Sequence, residues 1–557
     1  MLLAIVMVLS VMASCGNTSS ETTPEETTPK APETTKTPET TKAPETTKAP
    51  DVTDDPDATK APEVTEEPNA TDAPEASEPE ASEPEASEPE ATEPEATEPE
   101  ETVPEVTEPE NTTIEDLEEW LPEDVNLGID MSIYAGKLYD EEWLEADDGD
   151  LVGTELYNRV LRVEKGLGIE LTVTLSAGTA DLNEWLEEVA KRQESSDPNL
   201  KVDLVSGYSQ LLGQATLDGR LQNIANSDNI DFENPWWPAA LMENSTIDDK
   251  VYFASGDISP TLLYEVYAIF YNRGLVEQYN LDDPIKLVNK FEWTFDKLIA
   301  MTEGIYEDLN TNGKADIGDF TAFNFCDNAH LKAFPYAMGV RVLEPDTDDG
   351  YVWSESYTGE RMDTFFSKFT TWVQNNNGVT VQSEFYDFGK NFVAGTNIFT
   401  VGNFGFAKGE LAGSGVDYAV VPCPMFDEEQ EAYYSTHGNP ASFWGIPTNV
   451  DLDNSALLLE RLAVDAFVYI TPALFERALK LKYVTNDVDG ISRMFDIIRE
   501  GIVFDAALLY NRKLTDYKQY TELAGTGTSW INMFSNFTKR SMKRNLDQMV
   551  AILRDLP

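Results

Sequence analysis

The sharpest chemical signal in the 557 residues is the run Asp308-Leu-Asn310-Thr-Asn312-Gly313-Lys314-Ala-Asp316-Ile-Gly-Asp319. Oxygen-bearing side chains occupy positions 1, 3, 5, 9 and 12 of a twelve-residue loop, and Gly stands at position 6. A hard cation such as Ca2+ takes six or seven oxygens, and the Gly permits the sharp turn between them. The pattern predicts a structural calcium site built from Asp308, Asn310, Asn312, Asp316, Asp319 and the backbone carbonyl of Lys314. Asp319 stands where such loops usually carry Glu, so its reach for a bidentate contact is shorter.

Other chemistries find few residues to carry them. The chain has two histidines, His330 and His437, in unrelated contexts, with His437 expected on an exposed loop. That argues against histidine-based nucleophilic triads and multi-histidine metal centres. No Gly-x-x-x-x-Gly-Lys-Ser/Thr phosphate loop occurs. Beyond Cys15, only Cys326 and Cys423 are present, too few and too far apart for a disulfide framework. Paired carboxylates could hydrolyse glycosides, but 102 acidic residues guarantee chance pairs, so abundance carries no weight.

The acids themselves exclude one function class. Of the 102 Asp and Glu and 39 Lys and Arg, 29 acids and 5 lysines fall in residues 21–110, which leaves the remainder near −39. A field of that sign repels phosphate backbones, and a nucleic-acid role is excluded on this ground. Residues 21–110 hold no aromatic residue and carry Pro at short intervals. They cannot bury enough apolar surface to offset chain ordering, so a disordered, extended linker is expected over 15–112.

Ahead of the linker, the apolar stretch Leu2–Met12 is followed by Ala13, Ser14 and Cys15. This resembles a bacterial lipoprotein signal, which implies cleavage after residue 14 and acylation of the Cys15 thiol. No apolar run of about 18 residues occurs elsewhere, so the lipid is the expected membrane attachment, on the extracellular face.

The elements that must position a site begin near Val125. Leu156, Val160 and Val163 fall at helical spacing, Gly166 and Gly168 supply a stop, and residues 169–175 alternate as a strand. Leu182, Trp185, Leu186 and Val189 mark a second helix and Val202–Val205 a short strand. The same alternation returns as a strand over Val266–Tyr271, a helix over Trp293–Met301 and a long amphipathic helix over Leu457–Val468. Helix and strand in alternation predict an α/β architecture with a mostly parallel sheet. Some 430 residues exceed one ordinary core, so 113–557 should form two lobes with a cleft between them.

An ordered set of short stretches carries a resemblance: Gly153–Arg159 with Val163-Glu-Lys, Asn234-Pro-Trp-Trp237, Tyr267–Asn272, Trp293–Leu298, Tyr418–Pro424 and Gly445-Ile-Pro447. In these the chain resembles the family 1 extracellular solute-binding proteins of ABC importers, in particular the carbohydrate-type lipoproteins of Gram-positive bacteria. The resemblance implies a periplasmic-binding-protein-like fold, with lobe 1 at about 125–263 and 440–500, and lobe 2 at about 268–438 with the C-terminal helices. It also implies crossing strands near Val266–Tyr271 and Phe443–Ile446. The implied ligand is a mono- or oligosaccharide, the implied partners are ABC permease subunits, and a monomer is expected.

Pyranose rings have apolar faces and polar rims, so a sugar site needs flat aromatic platforms with amide or carboxylate edges. Trp236 and Trp237, after a Pro in a polar turn, are the first candidates. Asn403-Phe404 lies where sugar-binding relatives place a stacking aromatic, Trp444 falls on a proposed crossing strand, and Tyr208 follows a strand's carboxyl end. Three rival readings share this frame: an exported carboxylate-based glycoside hydrolase, a surface adhesion or sensor protein, and a binder of peptides or other polar solutes.

Overall fold

A computed structural model describes residues 113–136, 142–144, 149–176, 182–326, 330–382, 389–475, 490–514, 530 and 539–557. The signal segment 1–14, Cys15 and the linker 15–112 lie outside the described residues.

Two sheets organise these residues. The first has the order β12-β3-β1-β2, with β1 Asp130–Ala135, β2 Glu170–Leu175, β3 Leu204–Tyr208 and β12 Ser442–Gly445. Strands β2 and β3 both run parallel to β1, whereas β12 runs antiparallel to β3 and sets Ser442 opposite Tyr208. The second has the order β11-β4-β10-β6, built from β4 Tyr267–Asn272, β6 Phe320–Cys326, β10 Asn397–Asn403 and β11 Tyr418–Val421. Strands β5 Tyr306–Glu307 and β9 Val379–Gln382 both pair with β6. A separate hairpin joins β7 Leu343–Asp346 to β8 Gly350–Trp353.

The two-lobed α/β reading therefore holds, and the local signals place most elements. Helix Leu151–Leu167 starts at Asp150, whose carboxylate accepts the Val152 N–H, and stops at Gly168 with φ +61°. Its apolar stripe, Val152, Leu156 and Val163, is buried, and the helix packs beside Leu452–Asp465. The latter widens into π geometry over Ala466–Ile470.

The chain passes between the lobes at three places among the described residues, and the passages are hydrogen-bonded side by side. Val266 bridges His437 antiparallel, with Tyr267 N–H on Thr436 O at 3.0 Å and Gly438 N–H on Glu265 O at 2.8 Å. Ser435 bridges Ile502, with Val503 N–H on Ser435 O at 2.8 Å. The first lies at the amino end of the expected Val266–Tyr271 crossing, the second precedes the expected Phe443–Ile446, most of which lies within β12, and nothing in the sequence marks the third. It shifts the lobe boundaries: helix Ile491–Glu500 packs on β11 of the second lobe, and Ala506–Leu509 and Lys539–Asp555 return to helix Ser209–Leu217 of the first. The expected placement in lobe 1 holds for β12 and helix Leu452–Asp465 but not for helix Ile491–Glu500, and Ala506–Leu509 and Lys539–Asp555 pack on lobe 1 where lobe 2 was expected for the C-terminal helices.

Candidate functional site

The direction of the strands locates the crevice. Strand β12 leaves the second crossing beside the end of β3, so the carboxyl ends of β1, β2 and β3 point to the crossings. Strand β4 leaves the first crossing at Tyr267, which pairs with Asn403 at the end of β10. Strands β6 and β9 run parallel to β10, so their carboxyl ends also meet the crossings. The two sheets thus turn toward each other the ends at which open α/β sheets receive ligands.

Polar side chains converge there from both lobes. Asn403 caps the short helix after β10 by accepting the Phe406 N–H at 3.1 Å, and its amide donates to Glu265 Oε2 at 3.1 Å. Lys332 Nζ donates to Asn439 Oδ1 at 3.0 Å and stands 5.7 Å above the Tyr267 ring. Lys408 lies 4.6 Å over Tyr264. A Cβ at position 438 would collide with Glu265 Oε2, so Gly438 is required for this close approach. Glu265, Lys332 and Asn439 escaped the sequence reading, because their partners are remote in the chain.

On the first lobe, the ends of β1 and β2 and one face of helix Leu182–Glu194 line an open pocket of about 500 Å³. Tyr134 and Trp185 stack at 6.3 Å and 26° on one side of it, and Arg192 lies 4.5 Å over Tyr134. Trp185 Nε1 donates to Ser206 O at 3.1 Å, which fixes the ring. Glu188 pairs with both Lys191 and Arg192 along the rim. Burial, reinforced by Glu188, pushes the Tyr134 hydroxyl up to about 12, so it remains a neutral donor. Both rings are 4 % exposed, so the pocket offers a charged rim of Glu184, Glu188, Lys191 and Arg192 rather than an open stacking face.

The candidates named from sequence separate into two groups. Tyr208 and Asn403 stand at the carboxyl ends of β3 and β10, beside the crossings. The four other aromatics are packed into the interior. Trp236 and Trp237 are 4 % and 2 % exposed, and their indole N–H groups donate to Glu460 Oε1 and Oε2 at 3.1 and 3.0 Å. Asn234 donates to the same carboxylate at 2.9 Å. Trp444 is fully buried, with Nε1 on Ser259 Oγ at 2.9 Å and Trp143 edge-on at 5.8 Å. Phe404 is buried 5.1 Å from Phe495. Trp236, Trp237, Phe404 and Trp444 therefore present no open stacking face, which corrects the expectation of platforms there. Each ring satisfies its polar edge or fills its space with a residue distant in sequence.

Both histidines are buried, which also corrects the exposed loop expected for His437. Burial holds His330 down to about 3 and His437 down to about 4, so both are neutral at ordinary pH. Cys326 and Cys423 are free buried thiols.

The Asp308–Asp319 loop folds around its own oxygens. Asp308 accepts the N–H groups of Asn312 and Gly313 at 3.2 and 2.9 Å, and Gly313 adopts φ +74°. Asp319 is 1 % exposed and accepts Leu309 N–H and Asp316 N–H, each at 3.1 Å. The Tyr306 hydroxyl spans Lys314 O at 3.0 Å and Asp319 Oδ2 at 3.2 Å. The Asn310 and Asn312 amides donate to Asp316, and the Asn312 bond first among causes holds the Asp316 carboxyl below its ordinary value. No group of three or more His, Cys, Asp or Glu among the described residues is gathered as a metal site. No helix among them is long and apolar enough to cross a membrane.

No family model and no curated protein matches the chain. Among solved structures, it is similar to a family 1 extracellular solute-binding protein from Bifidobacterium longum subsp. infantis, at 15% identity and TM-score 0.47, over 76% of this chain and all of that one. It is similar to the maltose-binding periplasmic protein of Listeria monocytogenes at 12% identity and TM-score 0.46, over 76% and 97% of the two chains. The maltose/maltodextrin-binding domain of Bdellovibrio bacteriovorus bound to maltotriose aligns at 12% identity and TM-score 0.47, over 76% and 99%.

Proposed function

We propose that the folded part of the chain captures a carbohydrate in the crevice between its lobes and hands it, unaltered, to an ABC permease. The observation that carries this reading is the geometry of the crossings. Two sheets turn their carboxyl ends toward one another, and Glu265, Asn403, Lys332 and Asn439 gather beside the hydrogen-bonded passages. Lobes joined by a few extended segments can close over a ligand by small changes in backbone angle. The amide, carboxylate and ammonium groups at the crossings supply the polar rim that a pyranose needs. The two histidines are held neutral in the interior, so any turnover would have to use carboxylates such as Glu265, and an assay for reducing ends separates binding from turnover. The protein would act on the extracellular face of the membrane, held by a lipid on Cys15, with the linker as spacer. Calorimetric titration with oligosaccharides, paired with an assay for reducing ends, tests the reading: saturable binding without new reducing ends supports it.

A second, structural reading concerns the Asp308–Asp319 loop, which we propose binds one Ca2+. In its support, Lys314 O and Asp319 Oδ2 both lie within 3.2 Å of the Tyr306 hydroxyl, and the Asp308 carboxylate is already oriented by two loop amides.

A further inference from the structure

Glu142, in the segment between β1 and helix Leu151–Leu167, is fully buried, and the reading above gives it no role. Its Oε1 accepts the Thr261 hydroxyl at 2.6 Å, the Ser442 hydroxyl at 2.7 Å and the Thr261 N–H at 3.2 Å. Thr261 lies in helix Pro260–Tyr264, which leads into the first crossing, and Ser442 opens β12, just past the second. The Thr261 hydroxyl also accepts the Ser442 N–H at 3.0 Å, so the three residues form one cluster. The other carboxyl oxygen, Oε2, is buried without a hydrogen-bond partner.

We propose that Glu142 is a positioning residue of the crevice, fastening the segment behind β1 to the chain on either side of the first two crossings. The proposal rests on the crevice reading in one respect only, that the crossings set the lobe geometry a ligand meets. Burial raises the Glu142 pKa above the carboxylate range against the opposing pull of the Thr261 and Ser442 hydrogen bonds and of Arg159. The charged group facing it is Arg159, whose Nη2 donates to Glu142 O at 2.8 Å and whose Nη1 donates to Ile258 O at 3.1 Å. Arg159 thus spends these donors on carbonyls, with its plane 4.3 Å over Trp143 and with Asp465 and Arg162 nearby. Helix Pro260–Tyr264 and β12 contribute hydroxyl and amide groups to the cluster.

The test uses the full chain without any sugar, so its outcome is independent of whether a carbohydrate binds. Amide hydrogen exchange at Thr261 and Ser442 is followed from pH 5 to 9, corrected for intrinsic rates, in the wild type, E142Q and E142A, with X-ray scattering of each. E142Q should keep wild-type protection and scattering across that range, because Gln supplies the same acceptor oxygen without a charge. E142A should speed exchange by about tenfold at Thr261, whose N–H loses its acceptor, and by less at Ser442, whose amide keeps Thr261 Oγ1 as acceptor while that hydroxyl loses its anchor, and should broaden the interlobe scattering profile. If E142A fails to fold, T261V takes its place and should speed exchange at Ser442. Unchanged exchange and scattering in E142A or T261V would overturn the positioning role, as would a loss of protection in E142Q equal to that in E142A, since Gln keeps the acceptor oxygen.

Discussion

Replacing Glu460 tests the packing that removes two tryptophans from the crevice. Its carboxylate accepts N–H groups from Asn234, Trp236 and Trp237 at 2.9, 3.1 and 3.0 Å, the last two from rings under 5 % exposed. E460A orphans three donors and opens a cavity. At about 1–3 kcal/mol for each unsatisfied buried group, with partial relaxation, the loss should be about 3–5 kcal/mol. The pH dependence is a second signature. Desolvation outweighs the three hydrogen bonds and raises the Glu460 carboxyl from 4.5 to about 7. Since the folded-state value lies above the unfolded one, this contribution to stability is fully present below about pH 4.5 and is lost as pH rises through about 7. Discounted for partial exposure, the swing is about 2–3 kcal/mol. Urea unfolding followed by tryptophan fluorescence at pH 5, 6, 7 and 8 should show a fall in stability that is larger in the wild type than in E460Q by about that swing. An E460A protein within about 1 kcal/mol of wild type, or a wild type whose stability rises from pH 5 to 8, would refute the reasoning.

Three further outcomes are expected. Glu265→Gln and Asn403→Ala, which alter the polar cluster at the crossings, should weaken carbohydrate binding by about 1–3 kcal/mol while shifting the melting temperature little, as calorimetry and thermal melts would show. Equilibrium dialysis should find one Ca2+ per chain, lost in Asp308→Ala together with a lowered melting temperature; a wild type that binds no calcium would end that proposal. Cys15→Ser should move the protein from the membrane fraction into the medium, and retention of the variant on membranes would count against a lipid anchor.

Elements with strong periodicity were legible in the sequence, and sites made by remote contacts were not. The apolar spacing of Leu156, Val160 and Val163 placed a helix that the structure runs from Leu151 to Leu167, and the alternation after Gly168 placed β2. Strand β1, central to the first sheet, went unread because Asp130–Ala135 is short and has no clean alternation. Trp236 and Trp237 looked like platforms because a polar, Pro-flanked turn suggests exposure. The group that buries them, Glu460, is more than 220 residues away and shows only in three dimensions. Glu265 was overlooked for the same reason, since Asn403 lies 138 residues further along. The local signals at Tyr208 and Asn403, each at the end of a strand, did carry through, because strand direction is itself local.

The most direct test of the central claim is a thermal-shift screen of the full chain against mono- and oligosaccharides, followed by calorimetry and product analysis of any hit. A carbohydrate held at about 100 times its dissociation constant should add about 2.7 kcal/mol of stability, bind one per chain and be recovered unaltered. Stabilisation by none of the sugars, or release of reducing ends at enzyme-like rates, would contradict the account.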